Sequence, residues 1–156
     1  LYIKGLILLW GVNVDFIYLT KQFYLDYINC TEIERKLERP YIMFKIKIDE
    51  IDFAIPLRSN INHEHVFWTD KLNKCGLDFS KTLIINDSNY INTSLVPHIR
   101  ENEYDCLIGK EYIIKTKLNT YIKKYKKALN HTHIHKNAVL CDYSTLQYFH
   151  KELNIN

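Results

Sequence analysis

RPYIMFKIKIDEIDFAIPLRSNINHEH, residues 39–65, holds two apolar segments joined by an acidic turn and followed by a polar tail. From Tyr41 onward the pattern has a period of two: Ile42, Phe44, Ile46 and Ile48 alternate with Met43, Lys45, Lys47 and Asp49. Successive side chains of a strand point to opposite faces, so this alternation predicts a half-buried strand. Glu50 lies near the turn, and residues 52–57, DFAIPL, return as the partner strand. Pro56 has no amide hydrogen to give to a ladder, which predicts a strand at the sheet edge or ending there. Arg58, Ser59, Asn60, His63 and His65 follow at once. In an antiparallel hairpin the start of the first strand lies beside the end of the second, so Arg39 belongs with this tail. Cationic, hydroxyl, amide and imidazole groups are thereby gathered at one end of a sheet.

Towards the N-terminus, residues 15–19 (DFIYL) read as a short strand and Thr20 as a helix N-cap. Over residues 21–29, Phe23, Tyr24, Tyr27 and Ile28 share one face at helical spacing. The charged stretch 30–38 reads as loop or loosely helical. The first 14 residues, LYIKGLILLWGVNV, mimic a signal-peptide core but are too short to span a bilayer and lead to no small-residue cleavage site. They read as an N-terminal extension, an overhang or an extra strand, ahead of a single domain over residues 15–156.

Towards the C-terminus, residues 81–85 (KTLII) predict a strand and residues 86–89 a turn, after which Tyr90 and Ile91 resume a strand. Residues 101–109 (ENEYDCLIG) predict a short helix, with Gly109 as its C-cap or a joint. Residues 110–129 predict the clearest helix of the chain, with Ile114, Leu118, Tyr121, Ile122, Tyr125 and Leu129 at spacings of three and four. Its other positions include Lys110, Lys115, Lys117, Lys123, Lys124, Lys126 and Lys127 against Glu111. A solvated face usually mixes signs; this one hardly does, which favours a polyanion over bulk water as its partner. The HTHIH stretch after Asn130 lacks neighbouring carboxylates or thiols and reads as an exposed connector rather than a metal site. Residues 142–153 predict a terminal helix with Leu146, Phe149 and Leu153 on its apolar side. Strands early and helices late give an α+β class.

With 156 residues the chain is one domain by length. A net charge of +3 makes no global case for nucleic acid, so the local distribution has to make it. Twelve tyrosines against 7 phenylalanines supply rings whose hydroxyls suit half-wet surfaces. The 4 cysteines, Cys30, Cys75, Cys106 and Cys141, show no zinc-type spacing and predict reduced, mostly buried thiols in a cytoplasm.

Metal-free cleavage of RNA needs a group that moves a proton, cations for the developing phosphorane charge, and hydroxyls that position the phosphate. Histidine, arginine or lysine, and serine, threonine or tyrosine supply these. Each candidate also has a structural reading. Arg39 precedes Pro40 and suits a surface ion pair, Ser59 suits a turn cap, His63 and His65 suit a loop, and Tyr24 suits the core.

The chain resembles the type III toxin–antitoxin endoribonucleases, the ToxN/AbiQ family and especially its CptN and TenpN branches. The resemblance rests on IYLTKQFYLDYI, on RPY with FAIPLRSNINH, on GLDFSKTLIIN, and on GKEYIIKTKLNTYIKKYKK with CDYSTLQYF. It implies a strongly twisted antiparallel sheet surrounded by helices, like the barrel core of the MazF and Kid toxins. It implies a cofactor-free, metal-independent endoribonuclease that leaves 2′,3′-cyclic phosphate and 5′-hydroxyl ends on cellular or phage mRNA, with a role in phage defence. The implied partner is a repeated RNA pseudoknot antitoxin in a closed protein–RNA assembly, cytoplasmic and without a membrane. By position, Tyr24, Arg39, Ser59 and His63 match the catalytic set: Arg39 stabilises the pentavalent phosphate, Ser59 and Asn60 hold it, His63 acts as general acid or base, and Tyr24 orients the ribose. Arg58 stands where the family's Thr-Ser pair has its threonine. Arg58, Asn60 and His65 would contact RNA with Lys110, Lys115, Lys117, Lys123, Lys124 and Lys127. The competing expectations are a non-catalytic RNA-binding module built on helix 110–129 and a toxin acting on a protein target.

Overall fold

Asp49 and Glu50 both take positive φ, 47° and 66°. That is the primed two-residue turn whose twist matches the right-handed twist of paired strands. It makes the central hairpin a local, self-specified unit. The computed structural model describes residues 15–34, 36 and 38–156, so the extension expected over residues 1–14 lies outside the described residues.

In chain order the elements are β1 (Asp15–Leu19), α1 (Lys21–Asp26), β2 (Met43–Ile48), β3 (Ile51–Arg58), β4 (Val66–Asp70), β5 (Cys75–Asp78), β6 (Leu83–Ile84) and β7 (Ile91–Asn92). Three helices follow: α2 (Glu101–Leu107), α3 (Glu111–Leu129) and α4 (His135–Tyr143). Short 3-10 turns lie at Phe79–Lys81, Ser88–Tyr90 and Thr145–Tyr148. The strands form one antiparallel sheet in the order β4-β5-β3-β2-β1-β7, with β6 also paired to β3. No pairing joins β4 to β7 among the described residues, so the sheet is open. The class is α+β, as the sequence predicts.

Pro56 does not mark an edge. β3 is interior, with β2 on one side and both β5 and β6 on the other. Leu57 donates its amide to the Ile42 carbonyl at 2.9 Å, so odd-numbered amides of β3 face β2 and even-numbered ones face away. On the far side β6 pairs with Phe53 and Ala54, and β5 with Leu57 and Arg58. Pro56 falls in the gap between these two short strands, where no ladder needs its missing hydrogen. The expected solvent face of β2 is likewise only partial: Lys47 is exposed and Lys45 half-buried, but Met43 is buried.

The periodic segments follow their patterns. Thr20 caps α1 by accepting from the Phe23 amide, although the helix ends at Asp26 and leaves Ile28 exposed. Gly109, at φ 71°, follows α2. α3 buries Ile114, Leu118, Tyr121, Ile122, Tyr125 and Ala128, and the Tyr121 hydroxyl donates to Ser144 Oγ at 2.8 Å. β4 and β5 have no counterpart among the expected elements. The expected strand at 81–85 shrinks to β6, and the expected terminal helix is replaced by α4 and a 3-10 turn. Leu146, Phe149 and Leu153 are nevertheless buried, because the segment wraps against the core without forming a long helix. Cys141 is buried and the other three cysteines are half-buried.

Candidate functional site

The end of the hairpin opens into a cleft of about 1030 Å³. Two chain segments wall it: Arg39, Tyr41, Arg58 and Ser59 from the hairpin end, and Ser94, Leu95, Val96, His98 and Arg100 from the stretch around the start of α2. Lys36 lies at the cleft too, with its ammonium 4.6 Å from the centre of the Tyr41 ring. Among the described residues that line it, Lys36, Arg39, Arg58 and Arg100 stand against two acids, Glu38 and Glu103. Glu103 is buried and accepts from the Thr69 hydroxyl at 3.4 Å. A concave surface with this excess of cations attracts anions. The antiparallel pairing of β2 with β3 is what brings Arg39 and Ser59 to the same opening, as the hairpin argument requires.

Arg58 is fixed by two carboxylates. Its guanidinium donates to Asp78 and to Glu34, and the Tyr41 hydroxyl also donates to Glu34. Burial works to lower the Arg58 pKa, but the charges of Asp78 and Glu34 and the hydrogen bond to Asp78 raise it. Residues 31–34 belong to no helix. Ile33 is buried, and Glu32 pairs with Lys81 at 2.9 Å.

Asp78 is the hub of this network and is 0% exposed. It accepts from Arg58, from the Ser80 amide at 2.9 Å and from Ser80 Oγ at 2.6 Å. His63 Nε2 lies 3.3 Å from Asp78 Oδ1 and 3.3 Å from Ser80 Oγ. Burial pushes the Asp78 pKa up, yet hydrogen bonds from His63 and Ser80 and the charges of His63 and Arg58 bring it below its ordinary value. The other His63 nitrogen, Nδ1, accepts the His65 amide hydrogen at 3.2 Å. This assigns the proton to Nε2 and leaves both ring nitrogens engaged by the protein.

The remaining expected residues disperse. Tyr24 is 3% exposed and packs edge-on against Phe23. Burial, then Tyr41, pushes its pKa up to about 12, and its hydroxyl has no partner among the described residues. His65 packs against the Tyr121 ring at 5.2 Å, and burial followed by the charge of Lys124 pushes its pKa down to about 4. Asn60 is exposed at φ 57°. The α3 lysines are exposed but do not line the cleft. Lys124 pairs with Glu64 at 2.8 Å and Lys126 donates to the Leu153 carbonyl at 2.8 Å. No carboxylate pairs with Lys110, Lys115, Lys117, Lys123 or Lys127 among the described residues.

Arg39, Arg58 and Ser59 are therefore brought together, while His63 is joined to Arg58 through Asp78, His65 packs on Tyr121, Tyr24 sits in the core, and the lysine face is separate. Sequence reasoning missed Glu34, Asp78, His98 and Arg100. Asp78 carried a local signal, since Asp two residues ahead of Ser opens the 3-10 turn it caps. His98 and Arg100 carried none. Among the described residues no group of three or more metal-ligating side chains converges, and no helix is long and apolar enough to cross a membrane. Compared with protein-family models, curated proteins and solved structures, the chain matches none.

Proposed function

We propose that the protein is a metal-independent endoribonuclease, the toxin of a type III toxin–antitoxin pair. The observation that carries this reading is the shared cleft of Arg39, Arg58 and Ser59, rich in cations and lined also by Leu95 and Val96. Arg39 offers a cation for the phosphorane oxygens, and Ser59 offers a hydroxyl for the scissile phosphate. Arg58 adds positive field but is held by Asp78 and Glu34, so its role is to shape the wall. Apolar and aromatic surface beside cations suits unpaired bases, which proteins read by stacking. The family's twisted, MazF- and Kid-like barrel belongs to the same reading, in a version left open between β4 and β7. The antitoxin pseudoknot would lie along the unpaired lysines of α3, outside the cleft, in a closed assembly.

The test is cleavage of single-stranded RNA in EDTA by wild type, Arg39→Gln and Ser59→Ala. The reading expects 2′,3′-cyclic phosphate ends from wild type and a loss of rate of about 100-fold or more in each variant. The separate position of the lysine face favours one second reading, a non-catalytic RNA-binding module. Intact RNA with persistent, salt-sensitive binding selects that module. Absence of RNA binding selects a protein target. Changing Lys115, Lys117, Lys123 and Lys127 to Gln should flatten the salt dependence of RNA binding by about 0.7 in logarithmic slope for each phosphate no longer neutralised.

A further inference from the structure

Seven histidines are present, and their surroundings separate them. His63 has Nδ1 on the His65 amide and Nε2 against Asp78 and Ser80. His65 is packed on Tyr121, and His150 shares a hydrogen bond with the Tyr125 hydroxyl at 2.8 Å. His131, His133 and His135 lie in the exposed stretch leading into α4. His98 alone lines the cleft, in the segment between β7 and α2, together with Arg39 and Ser59 from the hairpin end. It is exposed, and neither ring nitrogen has a partner among the described residues.

We propose that His98, rather than His63, is the proton-transferring residue of the cleft. The proposal rests on the ribonuclease reading and assigns its chemistry. Neutral imidazole of His98 takes the 2′-hydroxyl proton as the O2′–P bond forms. The P–O5′ bond breaks on the opposite side of phosphorus, where solvent protonates the leaving 5′-oxygen, and the imidazolium returns its proton to solvent, giving a 2′,3′-cyclic phosphate and a 5′-hydroxyl. Geometry favours this division of labour. His63 would have to give up its bonds to Asp78 or to the His65 amide before either nitrogen reached a substrate, and neither it nor Asp78 lines the cleft. His98 has no bond to give up. The cations that line the cleft with it are Arg100, Arg39, Arg58 and Lys36, the acids Glu38 and Glu103, and the other titratable groups Tyr18, Tyr41 and Cys75.

The experiment compares wild type, His98→Gln, His98→Ala and His63→Gln in single-turnover cleavage of a single-stranded RNA from about pH 5 to 8 in EDTA, with RNA affinity measured separately. Wild type should show a rate that rises with pH through the histidine range. His98→Gln should cut the rate about 100- to 1000-fold, remove that rise and leave affinity unchanged. Added imidazole should restore part of the rate to His98→Ala, and His63→Gln should keep the rise. A wild type that binds RNA and leaves it intact overturns the ribonuclease reading, and this assignment falls with it. A wild type that cleaves beside an undiminished His98→Gln, or a rise lost only in His63→Gln, overturns the His98 assignment alone.

Discussion

Replacing Asp78 by Asn tests the network that shapes the cleft wall. Asp78 is fully buried and takes donors from Arg58, Ser80 and His63. Asparagine keeps the shape and one carbonyl oxygen for Ser80, but it removes the charge and sets an amide donor against the guanidinium of Arg58. Breaking a buried ion pair from one side costs about 3–5 kcal/mol. Arg58 keeps Glu34 as a second partner, so the low end applies, and the loss is about 3 kcal/mol. For a chain of this length that is about 6–12 °C in Tm. Urea unfolding at neutral pH should show the loss as a lower midpoint at unchanged m-value. The pH dependence follows from the direction of the shift. The Asp78 pKa lies below its ordinary value of 3.8 in the folded state, so its contribution is present above 3.8 and is lost as pH falls through the folded value. The gap between wild type and Asp78→Asn should therefore close in acid. A double-mutant cycle with Arg58→Gln should be strongly non-additive, the second change costing much less once the first is made. A loss under about 1 kcal/mol, or a gap that does not narrow in acid, refutes the account of Asp78 as a charged hub.

Gly76→Ala should disrupt the β4–β5 pairing, because its Cβ would stand 2.3 Å from the Phe67 carbonyl oxygen; loss of amide protection across Val66–Asp70 and Cys75–Asp78 is the readout. Tyr24→Phe should be neutral or stabilising by up to about 1 kcal/mol in thermal unfolding, since it removes a buried hydroxyl without a partner. A large loss of RNA cleavage by that variant at unchanged stability would instead restore Tyr24 to the chemistry. His65 titrates at about 4 in the folded state against an ordinary 6.5. Its stabilisation is present above 6.5 and is lost as pH falls towards 4, so wild type should lose stability over that window more steeply than His65→Asn.

The legible parts of the fold are those whose pairing is local. The β2–β3 hairpin announces itself by alternation, and α3 by its six-membered apolar stripe, because each pattern is the period of one element read along the chain. β4 and β5 are not legible, although Val66, Phe67 and Trp68 carry strand propensity. What defines that pair is the close approach of Gly76 to Phe67, a meeting of two strands rather than a period. α4 is hidden for a related reason: Cys141 is its one buried residue and Val139 is exposed. The candidate site divides the same way. Arg39 and Ser59 meet through a hairpin, so residue order alone places them together. His98 and Arg100 reach the cleft through the β1–β7 pairing, which joins Leu19 to Ile91 and leaves no trace in local sequence. Residue order also sets His63 near the hairpin end, but residue type does not tell that Asp78 occupies it.

The two walls of the cleft also differ in how firmly the chain holds them. The Arg39–Ser59 wall belongs to a hairpin with six paired positions and a two-residue turn. The other wall is anchored ahead of α2 by two paired positions, Tyr18 with Asn92 and Leu19 with Ile91, and by the bond from the Thr20 amide to the Tyr90 carbonyl at 2.8 Å. Closing that long loop costs chain entropy that two ladder positions repay poorly, so amides over residues 91–100 should exchange with solvent through cheaper openings than those of β2 and β3. An occupant that touches both walls is then also a clasp. It ties a loosely fastened corner of the sheet to its most firmly fastened hairpin, and its binding should be visible as slowed hydrogen exchange in a segment it barely covers.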